Sequence, residues 1–396
     1  MALSPSVITT SLSILLFSFL PFSSATTPFY NVSTLRYDDG YSDLFGDFNV
    51  AKSPDGNSVR LLLDRYSGSG FISKDLYSHG LFSAAIKLPS NYTAGVVVAF
   101  YTSNGDLFEK THDELDFEFL GNIEGKPWRV QTNLYGNGST SRGREERYVL
   151  WFDPSREFHT YSILWTHTNV IFYIDDVPIR EVVRSEEMGG DYPSKPMLLY
   201  ATIWDGSSWA TNGGKYKANY KFSPFVSEFH NFILQGCKVD PIQQLPDAEA
   251  NAAACTEADS GVATAAYAQL TPEKRRAMLE FRTKYMAYSY CYDIIRYPVP
   301  PPECVILPEE KERFKDSGHL KFGIHRITHP RRSRRSRRSR SRSRSRASSA
   351  AAASSESQAD MLAEYCSDLN NCAVHDRFIC GNAISQRRYD QLLFEF

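Results

Sequence analysis

The run His112-Asp113-Glu114-Leu115-Asp116-Phe117-Glu118-Phe119-Leu120-Gly121-Asn122 alternates acidic and apolar residues. If it is a strand, Glu114, Asp116 and Glu118 point to one face and Leu115, Phe117 and Phe119 to the other. Acids are depleted in strands, and like charges on one face repel. Stability given up in this way points to chemistry rather than to architecture.

Cleavage of a glycosidic bond uses a pair of carboxyl groups, and a third acid between them helps keep one protonated. Alternate Cα atoms on a strand lie roughly 6.6 Å apart, which starts Glu114 and Glu118 roughly 13 Å apart at the backbone. Inward-leaning side chains can close most of that gap. Retaining enzymes place the two carboxyls about 5–5.5 Å apart and inverting ones about 6.5–9.5 Å, so spacing leaves both open. The competing readings are a solvated strand face and a structural calcium site. Three carboxylates on one strand suit a compact oxygen cage poorly.

Short β runs punctuated by turns extend outward on both sides of this segment, from about Tyr41 to Leu234. They include Leu61–Leu63, Phe82–Leu88, Gly95–Tyr101, Arg129–Tyr135, Tyr148–Phe152, His159–Trp165 and Val170–Ile174. Asp175-Asp176 with Pro178 reads as a hairpin turn. Many strands with few helical stretches predict an all-β fold, an antiparallel β-sandwich of the jelly-roll kind, with a concave cleft for an extended polymer. Beyond Asp240-Pro241 an Ala-rich loop spans residues 248–266. Thr271-Pro272 then opens a helix expected to run to about Asp293, before Tyr297 to Pro302 forces an extended chain.

The chain has 396 residues, including 25 Phe and 23 Tyr, enough for a large β core and a sugar-stacking cleft. Its net charge of −2 conceals an asymmetry, because ten of the sixteen residues from Arg331 to Arg346 are arginine. Removing those positive charges leaves about −12 on the rest. Leu12 to Leu20 is an apolar run too short to span a bilayer, and Ser23-Ser24-Ala25 offers small residues for cleavage. Residues 1–25 therefore read as a secretory signal, although no Lys or Arg precedes the apolar run. No later segment is apolar for long enough to cross a membrane.

Secretion gives meaning to the sequons Asn31-Val32-Ser33, Asn91-Tyr92-Thr93 and Asn137-Gly138-Ser139, of which Asn137 is the best placed. It also makes disulfides natural, with Cys237–Cys255 and Cys291–Cys304 the simplest sequential pairing. Cys366, Cys372 and Cys380 remain unassigned. The expected organisation is a signal peptide at 1–25, a jelly-roll domain at 26–236, a small disulfide-pinned extension containing the helix at 237–324, and a disordered Arg/Ser-rich and low-complexity tail at 325–396.

The acidic run with its Leu120-Gly121-Asn122 tail resembles the plant xyloglucan endotransglucosylase/hydrolases of glycoside hydrolase family 16. Gln131-Thr132-Asn133, Trp151-Phe152-Asp153-Pro154, Trp204 and Trp209-Ala210-Thr211-Asn212-Gly213-Gly214 follow in the family's order. Tyr290-Cys291-Tyr292-Asp293 through Pro302-Glu303-Cys304 resembles its C-terminal extension, so the resemblance covers roughly residues 28–324. It implies a retaining enzyme with Glu114 as nucleophile, Glu118 as proton donor and acceptor, and Asp116 tuning both. It also implies a cleft carrying Tyr101, Gln131, Asn133, Trp204, Trp209, Gly213 and Gly214, with no metal and no cofactor. The implied partners are xyloglucan donor and acceptor chains in the plant cell wall, acted on by a secreted monomer.

Two features depart from the commonest pattern. Asn212 stands where many members carry Arg, and residues 103–111 form a slightly longer loop. A hydrolase specific for xyloglucan, and a non-catalytic lectin on the same scaffold, are the alternative functions; the intact acid pair argues against the lectin. Trp128, Trp151 and Trp165 sit in apolar runs and are expected in the core, and the Asp113 side chain should face away from the acids. The Arg-rich tail of a secreted protein suits an acidic wall polysaccharide and not a nucleic acid.

Overall fold

The computed structural model describes residues 32–239, 262 and 267–315, all within the first of two compact units. The expected signal peptide, the sequon at Asn31, the Ala-rich loop apart from Val262, Cys255 and the Arg/Ser tail lie outside the described residues. Among the described residues no helix is long and apolar enough to cross a membrane.

Among the described residues fifteen strands form two antiparallel sheets. In chain order they are β1 (Tyr41–Phe45), β2 (Val50–Lys52), β3 (Ser58–Leu63), β4 (Ser69–Ser73), β5 (Leu76–Lys87), β6 (Val96–Ser103), β7 (Glu114–Leu120) and β8 (Arg129–Tyr135). There follow β9 (Glu146–Val149), β10 (His159–Trp165), β11 (Asn169–Ile174), β12 (Val177–Val183), β13 (Leu198–Asp205), β14 (Phe225–Val239) and β15 (Met286–Ser289). One sheet has the order β1-β4-β13-β6-β7-β8-β9-β15 and the other β12-β11-β10-β5-β14-β3-β2. Asp175-Asp176 forms the tight turn between β11 and β12, with Asp175 at φ 52°.

The core is made by the inward faces of the two sheets. Leu115, Phe117 and Phe119 of β7 are fully buried there. Phe117 meets Phe172 edge-on at 5.2 Å, and Phe119 meets Tyr161 at 4.7 Å, so β7 is held from behind by the opposite sheet. Aromatic pairs of this geometry add about 0.5–1.5 kcal/mol each beyond area burial. Trp128 and Trp165 are buried as expected. Trp151 is not: it is 40% exposed, because β9 ends at Val149 and the chain turns away before reaching it.

The C-terminal helix begins as its sequence predicts, with Thr271 capping the Lys274 N–H and Pro272 in the first turn. It ends earlier than expected. Helix Pro272–Tyr285 gives way at Met286 to β15, which pairs with β9 and extends the β7-bearing sheet. The boundary expected between 236 and 237 falls inside β14. Cys291 and Cys304 form the expected disulfide, with Cα atoms 5.6 Å apart, and Cys237 is also disulfide-bonded.

Two buried ion-pair clusters fasten this extension to the sheet. Glu146 of β9 receives Arg282 of the helix at 2.6 and 3.0 Å and Ser289 of β15 at 2.8 Å. Arg144, 2% exposed, pairs with Glu303 at 2.6 Å and Asp191 at 2.9 Å. Breaking one partner of such a buried pair leaves an uncompensated charge.

Candidate active site

Strand β7 lies between β6 and β8, and its register sets out the site. Glu114 stands opposite Ser103 and Tyr135, Asp116 opposite Tyr101 and Asn133, and Glu118 opposite Ala99 and Gln131. All these residues share the face turned away from the core. The three acids are thus on one face as their alternation requires. Asp116 is buried, and Glu114 and Glu118 are half-buried.

The surroundings give each acid a different proton affinity. Burial raises the Glu118 carboxyl to about 7, against the lowering effects of the Gln131 hydrogen bond and the Arg147 charge. Gln131 donates its side-chain amide to Glu118, and Arg147 in turn donates to the Gln131 carbonyl at 2.6 Å. Burial followed by the charges of Glu114 and Glu118 holds Asp116 well above the ordinary carboxylate range. Burial also raises Glu114, offset in part by the charge of His112 and by hydrogen bonds from Ser103 and Asp116. Three interacting carboxyls therefore share their protons, with Asp116 hydrogen-bonded to Glu114 and the more strongly raised of that pair.

Glu118 belongs to a row that crosses the whole sheet. On one side it continues through Gln131, Arg147 and Tyr288. On the other it continues through Ala99, Thr202, Gly70 and Phe45. The small residues Ala99, Thr202 and Gly70 make the floor of a groove running across the strands. Tyr101 and Tyr200 stack at 5.0 Å along one wall, and the Tyr200 hydroxyl donates to Asp106 at 2.8 Å. Trp204 and Trp209, 6.1 Å apart, form the other wall over Val97, Leu120 and Ala210.

Tyr101 accordingly lines the groove and not the core. Asn133 accepts from the Arg144 backbone N–H at 2.8 Å, which fixes its amide beside Asp116. Gly213 and Gly214 take positive φ in the loop after Trp209; a side chain at Gly214 would collide with the Ser208 carbonyl. Thr211 pins that loop to Gly121, at the end of β7, at 2.8 Å. Asp113 faces away from the acids and is fully buried, accepting from Asn137, Ser194 and Lys195. Arg147 was not singled out in the sequence, where one basic residue in the run Arg142 to Arg147 looks like any other. A cavity of about 220 Å³ at Trp151, Phe281 and Tyr285 lies against the C-terminal helix, not over the acids.

Residues 38–222 match the model of glycosyl hydrolases family 16, and residues 256–304 match that of the xyloglucan endo-transglycosylase C-terminus. The probable xyloglucan endotransglucosylase/hydrolase protein 30 of Arabidopsis thaliana is 63% identical over 311 residues, which cover 78% of this chain and 89% of that relative. The chain belongs to the xyloglucan endotransglucosylase/hydrolase family. Two further Arabidopsis thaliana members of that family align over similar spans. Probable protein 29 is 60% identical, covering 77% of this chain and 88% of its own length. Protein 2 is 46% identical, covering 68% and 89%. The C-terminal family match includes helix Pro272–Tyr285, β15 and the Cys291–Cys304 bridge, the elements that complete the sheet edge in this xyloglucan endotransglucosylase/hydrolase family member.

Proposed function

We propose that this protein is a retaining transglycosylase that cuts the β-1,4-glucan backbone of xyloglucan and rejoins the new end to another xyloglucan chain. The observation that carries the chemistry is the pairing of Glu114 with a Glu118 whose carboxyl titrates near neutrality on one groove floor. An ionised Glu114 attacks the anomeric carbon while Glu118 gives its proton to the departing glycosidic oxygen. The first half-chain leaves, and the second is held as an ester on Glu114. Glu118, now ionised, takes the proton of an incoming sugar hydroxyl, whose oxygen displaces Glu114. Water in the same position would give hydrolysis. Asp116, hydrogen-bonded to Glu114, tunes the charge of both glutamates.

The protein acts, in this reading, after secretion into the plant cell wall, as a monomer. Asn91 and Asn137 are exposed, each at positive φ in a turn, positions open to a glycan. The Arg-rich tail would hold acidic wall polysaccharide.

The deciding experiment mixes polymeric xyloglucan with a labelled xyloglucan oligosaccharide. Label entering polymer without new reducing ends supports transfer. Reducing ends that accumulate regardless of acceptor mark a hydrolase, and no reaction by folded protein sinks both.

A further inference from the structure

The groove floor leaving Glu118 over Ala99, Thr202 and Gly70 ends at Phe45 on the edge strand β1. The Phe45 ring lies over Gly70, where an added Cβ would come within 2.8 Å of it. Four strand spacings separate the Glu118 and Phe45 positions, roughly 19 Å. Two more aromatic residues stand at the same end. Phe48 is fully exposed and Tyr66 is 91% exposed, the two most exposed large hydrophobic side chains among the described residues.

The loops that carry them are built, not loose. Asp64 accepts from the Tyr66 and Ser67 N–H groups at 2.7 and 2.9 Å and closes the turn through its own N–H to the Ser67 carbonyl. Asn49 donates from its N–H to the Gly46 carbonyl at 2.7 Å and from its side chain to the Ser67 carbonyl at 2.9 Å, tying the Phe48 turn to the Tyr66 turn. Gly46 has φ 70°, and a Cβ there would strike the Gly68 carbonyl. A Cβ at Gly68 would in turn strike the Ile203 carbonyl next to Trp204. The two loops therefore pack backbone to backbone onto the end of β13 that bears the groove wall.

We propose that Phe45, Phe48 and Tyr66 form a remote platform that grips the glucan backbone several sugars from the bond being cut. This inference rests on the polysaccharide-cleaving reading above. The fixed turns remove the backbone share of the ordering cost, leaving only the ring rotamers to be settled on binding. Continuity with the Trp204 and Trp209 wall commits the platform to the same polymer.

The test measures transfer by the full chain from two donors, polymeric xyloglucan and an oligosaccharide too short to span the groove. The ratio of polymer KM to oligosaccharide KM should rise roughly tenfold in Phe48→Ala/Tyr66→Ala, the scale of one or two lost ring-stacking contacts. Phe48→Tyr/Tyr66→Phe should restore it. Because both rings are exposed, thermal unfolding should match the parent protein. An unchanged ratio overturns the platform, as does a parallel rise in both KM values. A parent protein that transfers from neither donor removes the underlying reading instead, so the two failures are distinguishable.

Discussion

Arg147 reaches across from β9 to Gln131 at 2.6 Å, and through that amide it governs the proton on Glu118. Its charge also acts on Glu118 directly, in the lowering direction. Arg147→Met should therefore raise the Glu118 pKa. The basic limb of the kcat/KM profile should move to higher pH, even as kcat falls. A limb that stays in place would separate Arg147 from proton transfer.

In the parent protein, Glu118 must be protonated to act as acid, and its carboxyl titrates at about 7. Activity should fall as pH rises through that value. It should fall again on the acid side as Glu114 becomes protonated, with this limb displaced above the ordinary Glu pKa because burial raises Glu114. A pH–rate profile on polymeric xyloglucan measures both limbs.

Glu118→Gln removes the acid but keeps the shape. The rate on xyloglucan should drop roughly 10²–10⁴-fold, the usual contribution of a positioned acid. An aryl glycoside, whose leaving group needs no proton, should lose far less in formation of the glycosyl–enzyme. Glu114→Ala should lose both reactions.

Burial by itself would push Glu146 upward, but Arg282, Arg180 and the hydrogen bonds it accepts hold it at about 2. A carboxyl lowered on folding contributes stability in full above its unfolded pKa, near 4.5, and loses it as pH falls toward 2. Arg282→Ala should cost about 3–5 kcal/mol at neutral pH by leaving Glu146 buried and unpaired. Thermal melts from pH 7 to pH 2 should show the loss, and they should show the difference between variant and parent narrowing in acid.

Much of this was legible because period-two patterning survives in a two-sheet fold. Leu115, Phe117 and Phe119 have a core to enter, so the acids between them had to face outward. The β11–β12 hairpin is local and was readable from its turn residues Asp175-Asp176 and Pro178. The helix end at Tyr285 was not, since Met286-Ala287-Tyr288-Ser289 becomes a strand only by pairing with β9, some 140 positions away in sequence. Tyr101 could not be placed until its register opposite Asp116 was known. The Glu118 row joins Phe45 to Tyr288, and no local pattern encodes a row assembled from eight strands.

β15 is only four residues long, yet it stands between β9 and solvent. A chain cut before Met286 would present the free backbone donors and acceptors of β9 as a template for another molecule. The catalytic sheet thus depends on a segment made late in synthesis. Until Met286–Ser289 arrive, the nascent acid-bearing sheet has an open margin that invites self-association.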